Sequence, residues 1–242
     1  MMESDALQKF LVQGKAAVVT GGGEGIGKAT SMLLAAAGAA VAVLDKDGAK
    51  ASAVAAQITS DGGVAVAYAV DVTDETAVEQ AFASFASSHG RLDILVNNAG
   101  IAIRGAATTL SIEDWNRVIA VNLTGMFLCA RIAAAHMQRF GHGGAIVNTA
   151  SIMGLSGGLY PNVAYQTTKG GVVNMTRALA LEWVGDGVRV NAVAPTFVNT
   201  PFIAGLVSNP EVLAAIKAAT PMGRLAEPGE IASAILFLAS PA

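Results

Sequence analysis

Ala16-Ala17-Val18-Val19-Thr20-Gly21-Gly22-Gly23-Glu24-Gly25-Ile26-Gly27 is the stretch that decides the fold. A compact apolar run passes directly into glycines, and a helical stretch over 25–37 follows. The spacing is not G-x-G-x-x-G, because Ile26 stands where that pattern needs glycine. It is G-x-x-x-G-x-G, using Gly21, Gly25 and Gly27. The physical demands are the same: a sharp strand-to-helix turn, close backbone approach to a pyrophosphate, and tight packing of helix on strand. A helix N-terminus then offers free N–H groups and partial positive charge to phosphates.

The rest of the chain repeats the alternation. Short apolar runs lie at Ala16–Thr20, Val41–Leu44, Val64–Val70, Leu92–Val96, Ala145–Asn148 and Val188–Ala194. None alternates with polar residues, so strands buried on both faces are predicted. Helical stretches fill the gaps at about 25–37, 46–60, 74–88, 111–139, 162–184 and 227–239, and Gly38 suits the C-terminal cap of the first. Strand–helix alternation predicts an α/β fold: a Rossmann-type, doubly wound parallel sheet with helices on both faces. Asp45, Asp71, Asn97 and Ser151 each follow a strand. Ligands of such sheets bind at the carboxyl ends of the strands, so these four are expected to share a cleft.

Bulk properties narrow the function. A length of 242 residues suits one α/β domain spanning 1–242. The net charge of −3 and the lack of a basic stripe argue against nucleic acid. The most apolar run, Ala29–Leu44, holds Thr30, Ser31 and Gly38. It reads as a buried helix followed by a buried strand rather than a membrane span. Cys129, the single cysteine, reads as a core thiol. His89, His136 and His142 have no metal-binding spacing, and no metal is expected. Trp115 and Trp183 read as helix-packing aromatics. Met1–Phe10 carries Glu3 and Asp5 without an apolar signal core, so a cytoplasmic location is expected.

Asp45 ends the second strand, where a carboxylate accepts hydrogen bonds from an adenosine ribose and repels a 2′-phosphate. Glu24 adds a negative charge within the glycine loop. Lys28 and Lys46 pull the other way. The balance predicts NAD rather than NADP. Further along, Tyr165 and Lys169 stand at i and i+4 on one helix face. Tyrosine titrates near 10 in isolation, and a neighbouring ammonium and an oxidised nicotinamide ring are expected to lower that value. Such a tyrosine removes an alcohol proton or returns one to a carbonyl oxygen.

Together the Thr20–Gly27 loop, Asp71-Val72, Asn97-Asn98-Ala99-Gly100, Asn122, Ser151, Tyr165, Lys169 and Pro195 with Thr200 resemble the short-chain dehydrogenase/reductase family, from Lys15 to the end of the sequence. The resemblance implies that Tyr165 is the general acid/base and that Ser151 orients the substrate oxygen. Lys169 would lower the Tyr165 pKa and bind the nicotinamide ribose, and Asn122 would hold a relay water toward Lys169. The cofactor positions it implies are Thr20, Gly21, Gly23, Glu24, Gly25, Ile26 and Gly27, with Asp45 on the ribose and Asp71 and Val72 at the adenine. Asn97 would support the central sheet and line the cleft with Ala99 and Gly100, and Pro195, Phe197, Val198 and Thr200 would cover the nicotinamide. Two departures stand out: Thr196 occupies a usual glycine position, and the family's final strand is not found before Ala242.

Substrate selection is expected from Ile152–Leu159 and Phe197–Leu225, notably Met153, Leu155, Leu159, Phe197, Phe202, Ile203 and Leu206. No cluster of arginines marks an anionic substrate, and Arg104 reads as a rim or solvated residue. The expected function is NAD-linked oxidation of a secondary alcohol such as a polyol, a diol or a related hydroxy compound. The alternatives are an NADPH-dependent carbonyl reductase of the 3-oxoacyl-carrier-protein type and a non-catalytic NAD-binding regulator. The family is mostly tetrameric or dimeric, which implies a homotetramer or homodimer using helices 111–139 and 162–184.

Overall fold

The computed structural model describes residues 7–158 and 160–242. Leu159 and the first six residues, including Glu3 and Asp5, lie outside them. Six strands form one sheet: β1 (Ala16–Thr20), β2 (Ala40–Asp45), β3 (Val64–Ala69), β4 (Ile94–Asn97), β5 (Gly144–Thr149) and β6 (Val188–Val193). Their order is β3-β2-β1-β4-β5-β6 and every pairing is parallel. The order reverses between β1 and β4, so the cleft opens where the chain turns from one half of the sheet to the other.

The helices are α1 (Gly25–Ala36), α2 (Gly48–Ser60), α3 (Glu75–His89), α4 (Ile112–Phe140), α5 (Val163–Trp183), α6 (Pro201–Val207), α7 (Pro210–Ala219) and α8 (Pro228–Ala239). Six of them match the sequence expectation within two residues. α6 and α7 fall in the segment read only as pocket wall. Local chemistry sets the boundaries. The Asp47, Asp74 and Ser111 side chains accept from first-turn N–H groups of α2, α3 and α4. Gly38 takes φ +98 just past α1, where its N–H and that of Ala39 bond back to Ala35 and Leu34.

The sheet buries an apolar cluster on each face. α3, α4 and α5 cover one, with Phe82, Phe85, Leu95, Cys129, Met137 and Ile146 at its centre. α1, α2 and α8 cover the other, around Leu34, Val43, Val54, Val96 and Ile235. Cys129 is fully buried, and burial raises its thiol pKa to about 12. Trp183 is buried as well, in the first of these clusters. α4 is long and apolar enough to cross a membrane, but its inward side, Met126, Cys129, Ala130, Ala133 and Met137, is packed into the core. The third strand corrects one expectation. β3 is an edge strand with alternating exposure, and Val64 and Val66 face solvent. The sheet ends there, and on the face of Val64 and Val66 only Tyr68 reaches a helix, donating to Ser84 of α3 at 3.4 Å.

Candidate active site

A cleft of about 520 Å³ lies across the carboxyl ends of the strands. At one end is the glycine loop. Gly21 and Gly25 take φ +60 and +53, backbone that a side chain rarely adopts. A Cβ on Gly21 would stand 2.9 Å from the Cα of Ala99, and one on Gly27 would overlap the carbonyl oxygen of Gly21. The loop is thus pressed against the β4 turn and against its own helix. Thr20 ties this packing together, because its Oγ1 accepts from the N–H groups of Asn98 and Ala99 at 3.0 and 3.2 Å. Asn98 completes the clasp by donating to the Gly21 carbonyl at 3.1 Å.

Gly21, Glu24, Gly25 and Ile26 line the cleft. α1 starts there with no side-chain cap, so its first-turn N–H groups are left for another acceptor. Thr20, Gly23 and Gly27, expected as contact residues, do not line it. Thr20 and Gly27 hold the loop from behind, and the Gly23 N–H donates to Asp45 Oδ2 at 3.0 Å. The other Asp45 oxygen accepts from the Asp47 N–H at 3.0 Å. Glu24 forms an ion pair with Lys50 at 2.5 Å, a partner on α2 that sequence reasoning did not identify. Lys28 is exposed and does not line the cleft, whereas Lys46 does. Asp71 and Val72 are on the wall, and the Asp71 carboxylate accepts from Thr73 N–H and Oγ1 at 2.9 and 2.7 Å.

Asn97 supports the sheet, as expected, but does not line the cleft. Its side chain points away from the cleft and donates to Met126 O and Asn148 Oδ1 at 3.1 and 3.0 Å. Asn98 faces the cleft instead. Consecutive strand residues point to opposite sides, so only one of the two asparagines can line the wall. Asn122 is held firmly by its neighbours. It sits in a π-helical turn of α4, Ala120–Gly125, and is fully buried. Its Oδ1 accepts from Ile101 N–H at 2.8 Å, while Nδ2 donates to Ile101 O at 2.8 Å and Thr168 Oγ1 at 3.3 Å. That side chain pins the segment after β4 to α4 and α5.

Ser151, Tyr165 and Lys169 meet at the other end of the cleft. Ser151 follows β5, and its Oγ accepts from Met153 N–H at 3.1 Å. α5 carries the other two. Lys169 is buried, with Nζ 5.5 Å from the Tyr165 ring centroid and donating to the Thr149 carbonyl at 2.5 Å. Burial lowers the Lys169 pKa to about 8. Tyr165 departs from the expected direction. Burial raises its pKa above the ordinary value, while the neighbouring Ser151 hydroxyl and the Arg104 charge pull it down less strongly. The desolvation of the phenolate outweighs its neighbours.

Ala99, Gly100, Pro195, Phe197, Val198 and Thr200 line the cleft as expected, and Thr196 joins them. Above Tyr165 lies the Phe202 ring of α6, with centroids 6.0 Å apart. The flap that carries α6 and α7 is closed at its base. Asn199 N–H donates to Ala226 O at 2.8 Å, and Ala226 N–H to Phe197 O at 3.0 Å. Met153, Ile203 and Leu206 line the wall, as do Arg104, Tyr160 and Asn162. Leu155 is exposed and off the wall. Among the described residues, no group of three or more His, Cys, Asp or Glu side chains is placed to hold a metal.

A family model described as "Enoyl-(Acyl carrier protein) reductase" matches residues 21–242. Galactitol 2-dehydrogenase of Rhizobium johnstonii is 42% identical, covering 96% of this chain and 91% of the relative. The chain belongs to the short-chain dehydrogenase/reductase family. Cis-4-hydroxycyclohexanecarboxylate dehydrogenase of Sinomonas cyclohexanicum is 45% identical over 94% of this chain and 90% of the relative. The 3-oxoacyl-[acyl-carrier-protein] reductase of Thermotoga maritima is 36% identical over 95% and 92%. Among solved structures, a short-chain type dehydrogenase/reductase from Mycobacterium marinum superimposes with TM-score 0.94 at 35% identity, covering 97% and 92% of the two chains. A putative NAD(P) dependent gluconate 5-dehydrogenase from Beutenbergia cavernae, with bound NADP, gives 0.92 at 39% identity over 97% and 92%. The chain is therefore an oxidoreductase of this family, with a six-stranded Rossmann-type fold.

Proposed function

We propose that the chain oxidises a secondary alcohol with NAD, using Tyr165 as the base. The observation that carries this is the meeting of Ser151, Tyr165 and the buried Lys169 at the strand ends, beneath Phe202. The Ser151 hydroxyl holds the substrate oxygen next to the Tyr165 phenol. In oxidation the substrate hydroxyl gives its proton to the Tyr165 phenolate, and in reduction the phenol returns it. Lys169 stabilises the phenolate and bonds a ribose hydroxyl, and its link to the Thr149 carbonyl fixes its position. Asn122 is a positioning residue that holds the segment 99–101 in the cleft wall. When bound, a nicotinamide supplies the hydride acceptor.

The glycine end fits such a cofactor. Its crowded glycines admit a pyrophosphate against bare backbone, and the uncapped start of α1 offers N–H groups. Gly21, Glu24, Gly25 and Ile26 contact the cofactor directly, with Thr20, Gly23 and Gly27 behind them. Asp45 meets the adenosine ribose, Asp71 and Val72 the adenine, and Ala99, Gly100, Pro195, Phe197, Val198 and Thr200 the nicotinamide half. Asp45 and Glu24 favour NAD. Lys46 on the same wall favours the second reading, an NADPH-dependent carbonyl reductase, and the Beutenbergia neighbour holds NADP.

Polyols, diols and hydroxy acids are the proposed substrates, supported by relatives named for galactitol and for a hydroxycyclohexanecarboxylate. Phe127, Leu181 and Val184 are exposed on or just after α4 and α5 and favour a homodimer or homotetramer. A cytoplasmic location completes the reading, since the only thiol is buried and the fold needs no disulfide. Tyr165→Phe tests the mechanism. NADH formation should fall by roughly 10²–10⁴-fold while NADH binding persists. Unchanged turnover contradicts the assignment.

A further inference from the structure

Most charged groups on the cleft wall already have partners. Glu24 pairs with Lys50, and Arg117 with Asp114 at 3.1 Å. Asp45 and Asp71 accept from nearby N–H groups, and Lys169 donates to Thr149. Arg104 differs. It forms no ion pair among the described residues. Lys46, the other uncommitted cation, follows Asp45 at the opposite end.

Arg104 belongs to the substrate end. It shares the wall with Met153, Tyr160, Tyr165, Phe202, Ile203 and Leu206. The backbone next to it is anchored, because the Gly105 N–H donates to the Pro161 carbonyl at 3.2 Å, just ahead of α5. Arg104 is exposed at the mouth of the cleft beside these apolar side chains, and a guanidinium so placed is matched by a planar anion, which it grips through two parallel charge-assisted hydrogen bonds. Asn162, on the same wall and buried, has an Oδ1 with no partner among the described residues, an acceptor suited to a substrate hydroxyl rather than to the carboxylate. A neutral diol gives the cation nothing to pair with.

We propose that the substrate is a hydroxy acid, whose alcohol is held at Ser151 and Tyr165 while Arg104 binds its carboxylate. The inference rests on the dehydrogenase reading above. The carboxylate makes and breaks no bond; it sets which carbinol carbon lies beside Tyr165.

The test compares each acid with its own neutral amide: cis-4-hydroxycyclohexanecarboxylate, 3-hydroxybutyrate and gluconate against the matching carboxamides. Each is assayed with NAD and the wild type, Arg104→Met or Arg104→Lys. At least one acid should exceed its amide in kcat/KM by about tenfold or more, a difference of about 1.4 kcal/mol. Arg104→Met should bring that ratio close to one, and Arg104→Lys should keep part of it. The ratio is unaffected by any change Arg104 makes to Tyr165, which acts on both members of a pair. A second measurement needs no turnover: cyclohexanecarboxylate binding to the enzyme–NADH complex, read by NADH fluorescence, should weaken about tenfold or more in Arg104→Met. Tyr165-dependent oxidation of 2,3-butanediol with no preference for any acid overturns the hydroxy-acid assignment and leaves the dehydrogenase reading standing. Carboxylate binding that depends on Arg104, without NADH from any alcohol, supports the anion site and overturns the dehydrogenase reading. An acid preference that survives Arg104→Met assigns the carboxylate elsewhere and overturns the role of Arg104.

Discussion

The two ends of the cleft are built on different principles. The glycine end comes from one strand–turn–helix unit, clasped to the β4 turn by Thr20 and Asn98. A Cβ at Gly21, Gly22, Gly23 or Gly27 would press into a neighbour closely enough that something must shift. The substrate end is assembled from 101–104, 151–162 and 195–206, which are distant in sequence. There Gly157 and Gly205 have open space around them, although Gly154 is pressed against the Lys169 backbone and Gly158 against Gln166. The flap's backbone is bonded at its base, its Phe202 ring meets Tyr165, and α6 and α7 meet at 110°. A motif that must press backbone against a phosphate tolerates little change. A wall that meets varied substrates is free to change in side chains and length. The cofactor end is therefore the more readable, and the substrate end the more particular to this chain.

Matched glycine substitutions test that contrast most strongly. Gly27→Ala forces a methyl onto the Gly21 carbonyl, and overpacking typically costs about 1–3 kcal/mol. It should abolish NADH binding and lower the Tm by roughly 2–12 °C. Gly205→Ala should leave both nearly unchanged, because helical alanine is favoured over glycine by roughly 0.5–1 kcal/mol and nothing lies within 4 Å. Equal damage from the two would remove the contrast.

The next effect concerns charge at the glycine end. Asp45→Asn removes the charge that repels a 2′-phosphate while keeping the shape. It should lower the NAD-over-NADP ratio of kcat/KM by about tenfold, or about 1.4 kcal/mol. An unchanged ratio would assign discrimination to Glu24 or Lys46.

The smallest effect is a pH dependence of stability at the substrate end. The folded value of Lys169, about 8, lies below its ordinary 10.5. Between those values the unfolded chain binds more protons, so this group makes stability rise as the pH increases from about 8 toward 10.5. The cofactor-free protein should gain a few degrees in Tm across that window, roughly 2–4 °C per kcal/mol. Lys169→Met should remove the gain. A flat wild-type profile would mean that the ammonium is better solvated than its burial implies.

Much of this was legible in the sequence. Apolar runs and caps located six strands and six helices, because a parallel sheet needs exactly that alternation. The flap helices were missed although Thr200-Pro201 and Asn209-Pro210 place proline at the first helical position, a recognisable start. Asn98 was passed over for Asn97, yet strand alternation allows only one of them to face the cleft. The exposure of β3 was not legible, since strand order decides which strand lies at an edge. Nor was the direction of the Tyr165 shift, which depends on burial that no local pattern encodes. Arg104, read as a rim or solvated residue, stands exposed on the folded cleft wall.

The central claim is that the glycine end selects NAD for an alcohol dehydrogenase. Its most direct test is the kcat/KM of the wild type for NAD and for NADP, with one secondary alcohol that it oxidises, followed as reduced-cofactor absorbance. The account predicts a preference for NAD of about tenfold or more, the ratio that corresponds to 1.4 kcal/mol at Asp45 and Glu24. Equal use of both cofactors, or a preference for NADP, would contradict it.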